Sequence, residues 1–342
     1  MKYVAICFKC VFGYTLGMPE LIEIIRPDLH LEAVIVLDDE TLGPAAGGIR
    51  TASYPSFSAA IKDAKALAGK MTLKCALADL DAGGGKAVVR CHEKLDREAA
   101  FSIIGEAVAK LNGRFHTAGD LGTTLVDLQI ARRYSDFVHL DEGDLCAAVG
   151  LGLRACLQAN LAQNLNGFSA AVQGVGDIGA AVVRSLRMAG MEVRVCDLDD
   201  DKVSEICLET GATKVAVDEI LTQDVDVFCP CGPGGVLRED NADSLRAKIV
   251  CGGANMPLAS LAVEKGLQER GILCLPDVIT SAGAVVQGIC NSVMNVDSAP
   301  LLQKLGETCR LVMQEAESAD RLPSQMAQQR ANQRLALAFG SN

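Results

Sequence analysis

The stretch Ala170-Ala171-Val172-Gln173-Gly174-Val175-Gly176-Asp177-Ile178-Gly179 decides the fold. A short apolar run enters a Gly-x-Gly-x-x-Gly turn, and a helical pattern leaves it and ends near Gly190. Glycines at these three positions permit a tight turn, close approach of the backbone to a pyrophosphate, and close packing of helix on strand, with the phosphate at the helix amino terminus. Such a motif is uninformative alone, and its context gives it weight. A second apolar run, Met191 to Cys196, ends at Asp197, which puts a carboxylate about 20 residues past the motif, where it can bind an adenosine ribose 2′-hydroxyl. Asp197 would repel a 2′-phosphate, although Arg194 and Lys202 are close in sequence, so NAD is favoured over NADP. The expected cofactor contacts are Gly174, Val175, Gly176, Asp177, Ile178, Gly179 and Asp197.

Working outward, short β-rich runs alternate with helical segments: Phe168 to Gln173, Met191 to Cys196, Thr213 to Val217, Val225 to Cys229, Lys248 to Cys251 and Ile272 to Leu275. This alternation indicates a parallel sheet with crossover helices, hence a doubly wound domain over residues 150–284. Before it, Leu31 to Leu37 reads as a strand, followed by the glycine-rich Gly43-Pro44-Ala45-Ala46-Gly47-Gly48. A helix then opens near Ser56 or Ser58, with Ala60, Ile61, Ala64, Leu67, Ala68 and Met71 forming its buried stripe. After residue 284, Leu301 to Leu337 is a helical pattern interrupted at Pro323, expected to pack back on the first domain. The fold class is α/β with two domains: residues 1–149, which recruit the carboxy-terminal helices of 285–342, and the doubly wound domain between them.

Composition agrees with this. The 342 residues suffice for about two domains at roughly 150 residues each, and 49% hydrophobic with 22% charged residues excludes a disordered chain. The net charge of −11 excludes nucleic-acid binding through a general basic face. The 14 cysteines lack a framework spacing and read as small buried hydrophobes in a reducing cytoplasm. Two close pairs, Cys7/Cys10 and Cys229/Cys231, lack the partners that zinc requires, and no metal is expected. His116 and His139 lie in apolar, strand-like runs and read as core residues. The run Met1 to Phe8 resembles the start of a signal peptide, but Lys9 interrupts it, so an amino-terminal strand or helix is expected. No stretch approaches the roughly 20 apolar residues of a membrane span.

Two further segments could carry chemistry. Lys74 and Lys86 flank an apolar stretch, and Lys86 follows Gly83-Gly84-Gly85. A triple glycine costs backbone entropy, which suggests that something approaches the main chain closely. Two lysines near one another in a dry cleft would lower an ammonium pKa and make a base; in water the same segment is a flexible turn. Asp120, in Thr117-Ala118-Gly119-Asp120, taken alone caps a helix or forms a turn.

Together these segments resemble the amino acid dehydrogenase superfamily that includes the glutamate, leucine, valine and phenylalanine enzymes. The resemblance covers nearly the whole chain. It is carried by Gly43 to Arg50, Met71-Thr72-Leu73-Lys74 with Gly83 to Lys86, Thr117 to Asp120, Val172 to Gly176, Gly253-Ala254-Asn255 and Pro276-Asp277. It is closest to the leucine and phenylalanine members. The resemblance implies an α/β substrate-binding and oligomerisation domain, a Rossmann domain that binds NAD, and an active-site cleft between them. It implies that Lys74 holds the substrate carboxylate, and that NAD takes hydride from Cα to leave an iminium. Lys86, made less basic by Lys74 and burial, would activate water, and Asp120 would shuttle protons as ammonia leaves. Gly47, Gly48, Met71, Ala46, Ala118 and Asn255 would line the substrate, and Cys231, Asn255 and Ser281 would join the cofactor contacts. A homo-oligomer is implied.

Two stretches depart from the family pattern: Gly143 to Gly150 is shorter than the usual segment and lacks its proline, and Ser281-Ala282-Gly283-Ala284 replaces Asn-Ala-Gly-Gly. The small residues Ala46, Ala118 and Ala147 make room for a large apolar or aromatic side chain, and phenylalanine is favoured over leucine, valine or tryptophan. The competing expectation is a catalytically retired NAD-binding regulator. A hydroxy-acid dehydrogenase would need a histidine base near an arginine, and none is evident.

Overall fold

The computed structural model describes residues 19–340, so the Cys7/Cys10 pair and the run Met1 to Phe8 lie outside the described residues. The chain forms two compact units. The first holds the chain up to Gly143, Gly288–Val296 and the chain from Arg334; the second holds Asp144–Gln287 and Asp297–Gln333.

The first unit contains β1 (Glu20–Arg26), β2 (Leu31–Asp39), β3 (Ala45–Ala46), β4 (Ile49–Ala52), α1 (Phe57–Leu77), β5 (Gly83–Arg90), α2 (Arg97–Lys110), β6 (Phe115–His116) and α3 (Leu125–Arg132). Its sheet runs β1-β2-β5-β3-β6, with β4 also paired to β5. The first three strands are antiparallel, and β3, β4 and β6 run parallel. Strand β2 is apolar on both faces because both are covered. Ala33, Ile35 and Leu37 pack with Phe101 and Ile104 of α2, while Val34 and Val36 pack with Ala60, Ala64 and Ala68 of α1. Ser56 caps α1 by accepting from Ala59 N at 3.2 Å. The alanine stripe lets α1 lie close to β5: a Cβ on Gly84 would stand 2.1 Å from Thr72 Oγ1. The close approach expected at the triple glycine is therefore made by the protein's own elements: α1 at Gly84, Asp39 O of β2 at Gly83 and the Phe115 ring of β6 at Gly85.

The second unit contains α4 (Leu145–Asn160), β7 (Ser169–Gln173), α5 (Asp177–Met188), β8 (Glu192–Cys196), α6 (Asp200–Thr210), β9 (Thr213–Lys214), β10 (Val227–Pro230), β11 (Ile249–Val250), α7 (Leu261–Glu269), β12 (Leu273–Cys274), α8 (Asp277–Thr280), α9 (Gly283–Ile289), α10 (Ala299–Ser318) and α11 (Pro323–Phe339). The last residues of α9 and α11 fall in the first unit. All six expected strands are present, and they form one parallel sheet in the order β12-β11-β10-β7-β8-β9. The order reverses at β7, which lies between β8 and β10; that reversal opens the ligand crevice of doubly wound sheets.

Two boundaries differ from expectation. The unit begins at Asp144 rather than at 150, because Asp144 caps α4 by accepting from Ala147 N at 2.8 Å, and a helix packs as a whole. The carboxy-terminal helices were expected on the first domain, yet residues 297–333 belong to the second unit. The reason is a small-residue crossing of α10 on α4: a Cβ on Gly306 would meet Ala155 O at 2.4 Å, and one on Gly152 would meet Leu305 Cδ1 at 2.9 Å. From Arg334 the chain does return to the first unit. The Arg334 guanidinium donates to Ala76 O, a carbonyl in the last turn of α1, at 2.8 Å, and to Leu80 O in the loop that follows at 3.2 Å.

Candidate active site

In the first unit the geometry begins with β5, which carries Lys86 opposite Val36 of β2. Lys86 is 7% exposed, and its Nζ lies 2.8 Å from Asp120 Oδ2. The loop that bears Asp120 is stitched to the Gly47-Gly48 link between β3 and β4. Gly47 N donates to His116 O at 3.1 Å, Ile49 N to Ala118 O at 2.8 Å, and Thr117 Oγ1 to Gly47 O at 2.8 Å. A Cβ on Gly47 would stand 1.9 Å from Gly85 O, and one on Gly48 would stand 2.6 Å from Gly119 O. Only glycine lets this link pass between the Lys86 strand and the Asp120 loop.

Arg50 of β4 completes the group. Its Nε donates to Asp120 Oδ2 at 3.0 Å and its Nη1 to Asp63 Oδ2 at 3.2 Å, and Tyr54 Oη donates to the same Asp63 oxygen at 2.6 Å. Burial lowers the Lys86 pKa from 10.5, with Arg50 adding to the fall and Asp120 opposing it. The like charge expected from Lys74 is thus supplied by Arg50. Burial pushes the Asp120 carboxyl up, but Lys86 and Arg50 outweigh it and hold the group below the usual carboxylate range.

Lys74 is buried in the last turns of α1, Met71 is half-buried one turn earlier, and Ala46 and Ala118 are buried. Two features were not legible in the sequence. The Glu142 carboxyl is pushed up to about 7 by burial, with Lys86 as the cation that opposes this. His116 and His139, expected as core residues, are half-buried and stack 5.3 Å apart with Nδ1 of the first 3.0 Å from Nε2 of the second. Burial and the His116 charge push His139 down to about 4.

The second unit gathers the glycine turn, Asp197 and Cys231. Gly174 has φ +89°, and a Cβ there would meet Gly232 N at 2.9 Å; one on Gly179 would meet Gly174 O at 1.9 Å. Gly176 differs, because a Cβ there would meet nothing within 4 Å. The first and third glycines thus serve the protein's packing, and the second leaves open space before the amino terminus of α5. Asp177 and Ile178 begin that helix. At the end of β8, Asp197 Oδ2 accepts from Val175 N at 2.6 Å and Oδ1 from Asp199 N at 3.1 Å, so the carboxylate braces the turn. Cys231 N donates to Gln173 O at 2.8 Å, which places Cys231 at the reversal between β7 and β10. Gln173 Oε1 is the one buried side-chain oxygen among the described residues with no hydrogen-bond partner.

Asn255 and Ser281 form a separate pair, with Ser281 Oγ 3.4 Å from Asn255 Oδ1 and 2.6 Å from Asp277 O. The described cysteines are free thiols. Desolvation pushes the Cys231 thiol up to about 12. Among the described residues no group of three or more His, Cys, Asp or Glu is arranged to hold a metal ion, and no helix is long and apolar enough to cross a membrane.

A doubly wound parallel sheet with a glycine turn at its reversal, together with an α/β unit holding a buried lysine against an aspartate, defines a two-unit α/β protein of the dinucleotide-linked dehydrogenase class. Residues 27–135 match the family model described as Glu/Leu/Phe/Val dehydrogenase, dimerisation domain, and residues 197–317 match the one described as Glutamate/Leucine/Phenylalanine/Valine dehydrogenase. The chain is 33% identical over 305 residues to a phenylalanine dehydrogenase of Lysinibacillus sphaericus, covering 84% of this chain and 80% of that one. It is 35% identical over 268 residues to a leucine dehydrogenase of Bacillus subtilis, covering 75% and 74%. The crystal structure of L-tryptophan dehydrogenase from Nostoc punctiforme superposes with a TM-score of 0.83 at 30% identity, covering 94% of this chain and 97% of that one. The chain belongs to the Glu/Leu/Phe/Val dehydrogenase family, whose members depend on NAD(P).

Proposed function

We propose that this protein is an NAD-dependent L-amino acid dehydrogenase, an oxidoreductase acting on CH-NH2 donors that interconverts an apolar or aromatic amino acid with its 2-oxo acid and ammonia. The observation that carries the reading is the buried Lys86 Nζ 2.8 Å from Asp120 Oδ2, with burial lowering the lysine's basicity. A lysine that loses its proton more readily than one in water can serve as a general base. In this reading Lys74 pairs with the substrate carboxylate and orients Cα. Lys86 takes a proton from the water that attacks the imine, and Asp120 passes protons to and from the amino nitrogen. The backbone of Gly47 and Gly48, with Met71, Ala46 and Ala118, lines the substrate.

The residues present fit a dinucleotide. The open space over Gly176 supports a pyrophosphate at the start of α5, and the carboxylate of Asp197 just after β8 supports the reading of a ribose hydroxyl rather than a 2′-phosphate. Gly174, Val175, Gly176, Asp177, Ile178, Gly179, Asp197 and Cys231 would hold it, with Asn255 and Ser281 toward its nicotinamide end. Bound NAD supplies the hydride acceptor; the chain's residues hold, orient and move protons.

Phenylalanine is the proposed preferred substrate, because Ala46 and Ala118 are small and buried. The leucine and tryptophan dehydrogenases among the relatives favour a second reading, in which a branched-chain amino acid or tryptophan is preferred. Discrimination by apolar volume is worth only about 1–3 kcal/mol per methylene, so breadth is expected. The protein is proposed to act in the cytoplasm as a homo-oligomer, the latter supported by the dimerisation-domain match. A panel of the twenty amino acids with NAD, read by NADH absorbance, tests the reading. NADH formation strongest with phenylalanine supports it, and no NADH with any of them identifies a retired NAD-binding protein instead.

A further inference from the structure

Both bonds that Asp120 receives from cationic side chains end on one oxygen, Oδ2: Lys86 Nζ at 2.8 Å and Arg50 Nε at 3.0 Å. Behind Arg50 the charges continue to alternate. Its Nη1 is 3.2 Å from Asp63 Oδ2, which also accepts from Tyr54 Oη at 2.6 Å. Arg50 spans two carboxylates with two nitrogens of one rigid fork, which fixes the guanidinium plane and with it the Asp120 carboxylate. These four residues come from β4, the chain between β4 and α1, α1 itself, and the loop after β6, and all are half-buried.

We propose that Arg50, Asp63 and Tyr54 are positioning residues: a charge-alternating chain behind Asp120 that holds its carboxylate in place and fixes the charge Lys86 experiences. The inference rests on the reading of Lys86 and Asp120 as the proton-transfer pair. The charged groups around Lys86 are Asp120 from the loop after β6, Arg50 from β4, Asp63 from α1 and Glu142 from the segment after His139. Helix α1 also carries Lys70 and Lys74. Strand β2 presents Val36 opposite Lys86, and its nearby carboxylates Asp38 and Asp39 accept from Thr72 Oγ1 and Thr41 N. Within this set Arg50 favours the neutral lysine and Asp63 the charged one. Removing each charge should therefore act in opposite senses.

The test is the pH dependence of amino acid oxidation in Arg50→Gln, Arg50→Lys, Asp63→Asn and Tyr54→Phe, alongside thermal unfolding of each. The rising limb of kcat/KM should move to higher pH in Arg50→Gln and to lower pH in Asp63→Asn, each by on the order of one unit. Arg50→Lys should keep the limb near its wild-type position while kcat falls, because the charge stays and the two-carboxylate fork is lost. Tyr54→Phe should lower kcat least, with KM for the amino acid unchanged. A merely structural role would lower stability and activity together and leave the limbs in place. Limbs that stay put, or that move the same way in both charge variants, overturn the proposal. If Arg50→Gln does not fold, Asp63→Asn against Arg50→Lys still decides it by the sign of the shift. A wild-type enzyme without a rising limb would instead overturn the underlying reading of Lys86.

Discussion

The glycine turn of the second unit and the Lys86–Asp120 cluster of the first meet different physical demands. The turn is made of backbone from residues adjacent in sequence, and its requirement is that side chains be absent. A Cβ on Gly179 would stand 1.9 Å from Gly174 O, while one on Gly176 would meet nothing. The cluster is made of charge gathered from β4, β5, α1 and a loop, and its requirement is that each charge be compensated as it leaves water. A backbone site fails by collision and a charge site fails by titration, so substitutions in the two should leave different signatures.

The largest effect is expected where charge and chemistry coincide. Lys86→Ala should lower turnover by roughly 10²–10⁴-fold, the range ascribed to a general base, with NADH binding retained in a fluorescence titration. The fold should persist because Arg50 still neutralises Asp120 at 3.0 Å. Wild-type-like turnover would remove Lys86 from the mechanism. Lys74→Ala should act mainly on the amino acid KM, raising it by a charge-assisted contact of about 1.5–3 kcal/mol, roughly 10- to 150-fold. A loss confined to kcat would place Lys74 in the chemistry rather than in binding.

The glycine turn offers a sharper contrast within itself. Gly179→Ala should destabilise the second unit by about 1–3 kcal/mol, because the new methyl collides with backbone that cannot yield. Gly176→Ala should leave the denaturation midpoint unchanged and raise the KM for NAD severalfold. An unchanged KM would mean that the pyrophosphate does not pass over this position.

The smallest effect concerns the His116–His139 pair. The folded pKa of His139 is lowered from 6.5 to about 4, so as pH falls between those values the unfolded chain takes up a proton that the folded chain refuses. Stability should therefore decline as pH falls through that window, and His139→Gln should flatten the decline. Equal slopes in urea unfolding of the two proteins would show that the pair does not contribute.

The same contrast explains what could be read from sequence. The six strands of the second unit and the glycine turn are local patterns of period and spacing, and each stands where the sequence places it. The residues Lys86 and Asp120 could be named from a family resemblance, and the structure brings them together. Arg50 closes one of the motifs that carry the resemblance, but its contacts with Asp63 and Asp120 could not be read from it. Arg50 lies at an outward position of a short strand, and its partners Asp63 and Asp120 are 13 and 70 residues away. Local periodicity carries no signal for such a contact, so from sequence Lys74 stands as the like charge acting on Lys86, where the structure has Arg50. The carboxy-terminal helices depart from the sequence expectation for a related reason. The fit of Gly306 against Ala155 is a property of two helices far apart in sequence, and an amphipathic pattern does not say which partner it fits.

The central claim is that Lys86 works as a neutral amine made accessible by its burial. The pH dependence of kcat/KM for phenylalanine oxidation tests this most directly in the wild-type protein. A rising limb with its midpoint below the ordinary lysine value of 10.5, lost in Lys86→Ala, is the predicted result. A limb at the ordinary lysine value, or one that survives in Lys86→Ala, would contradict it.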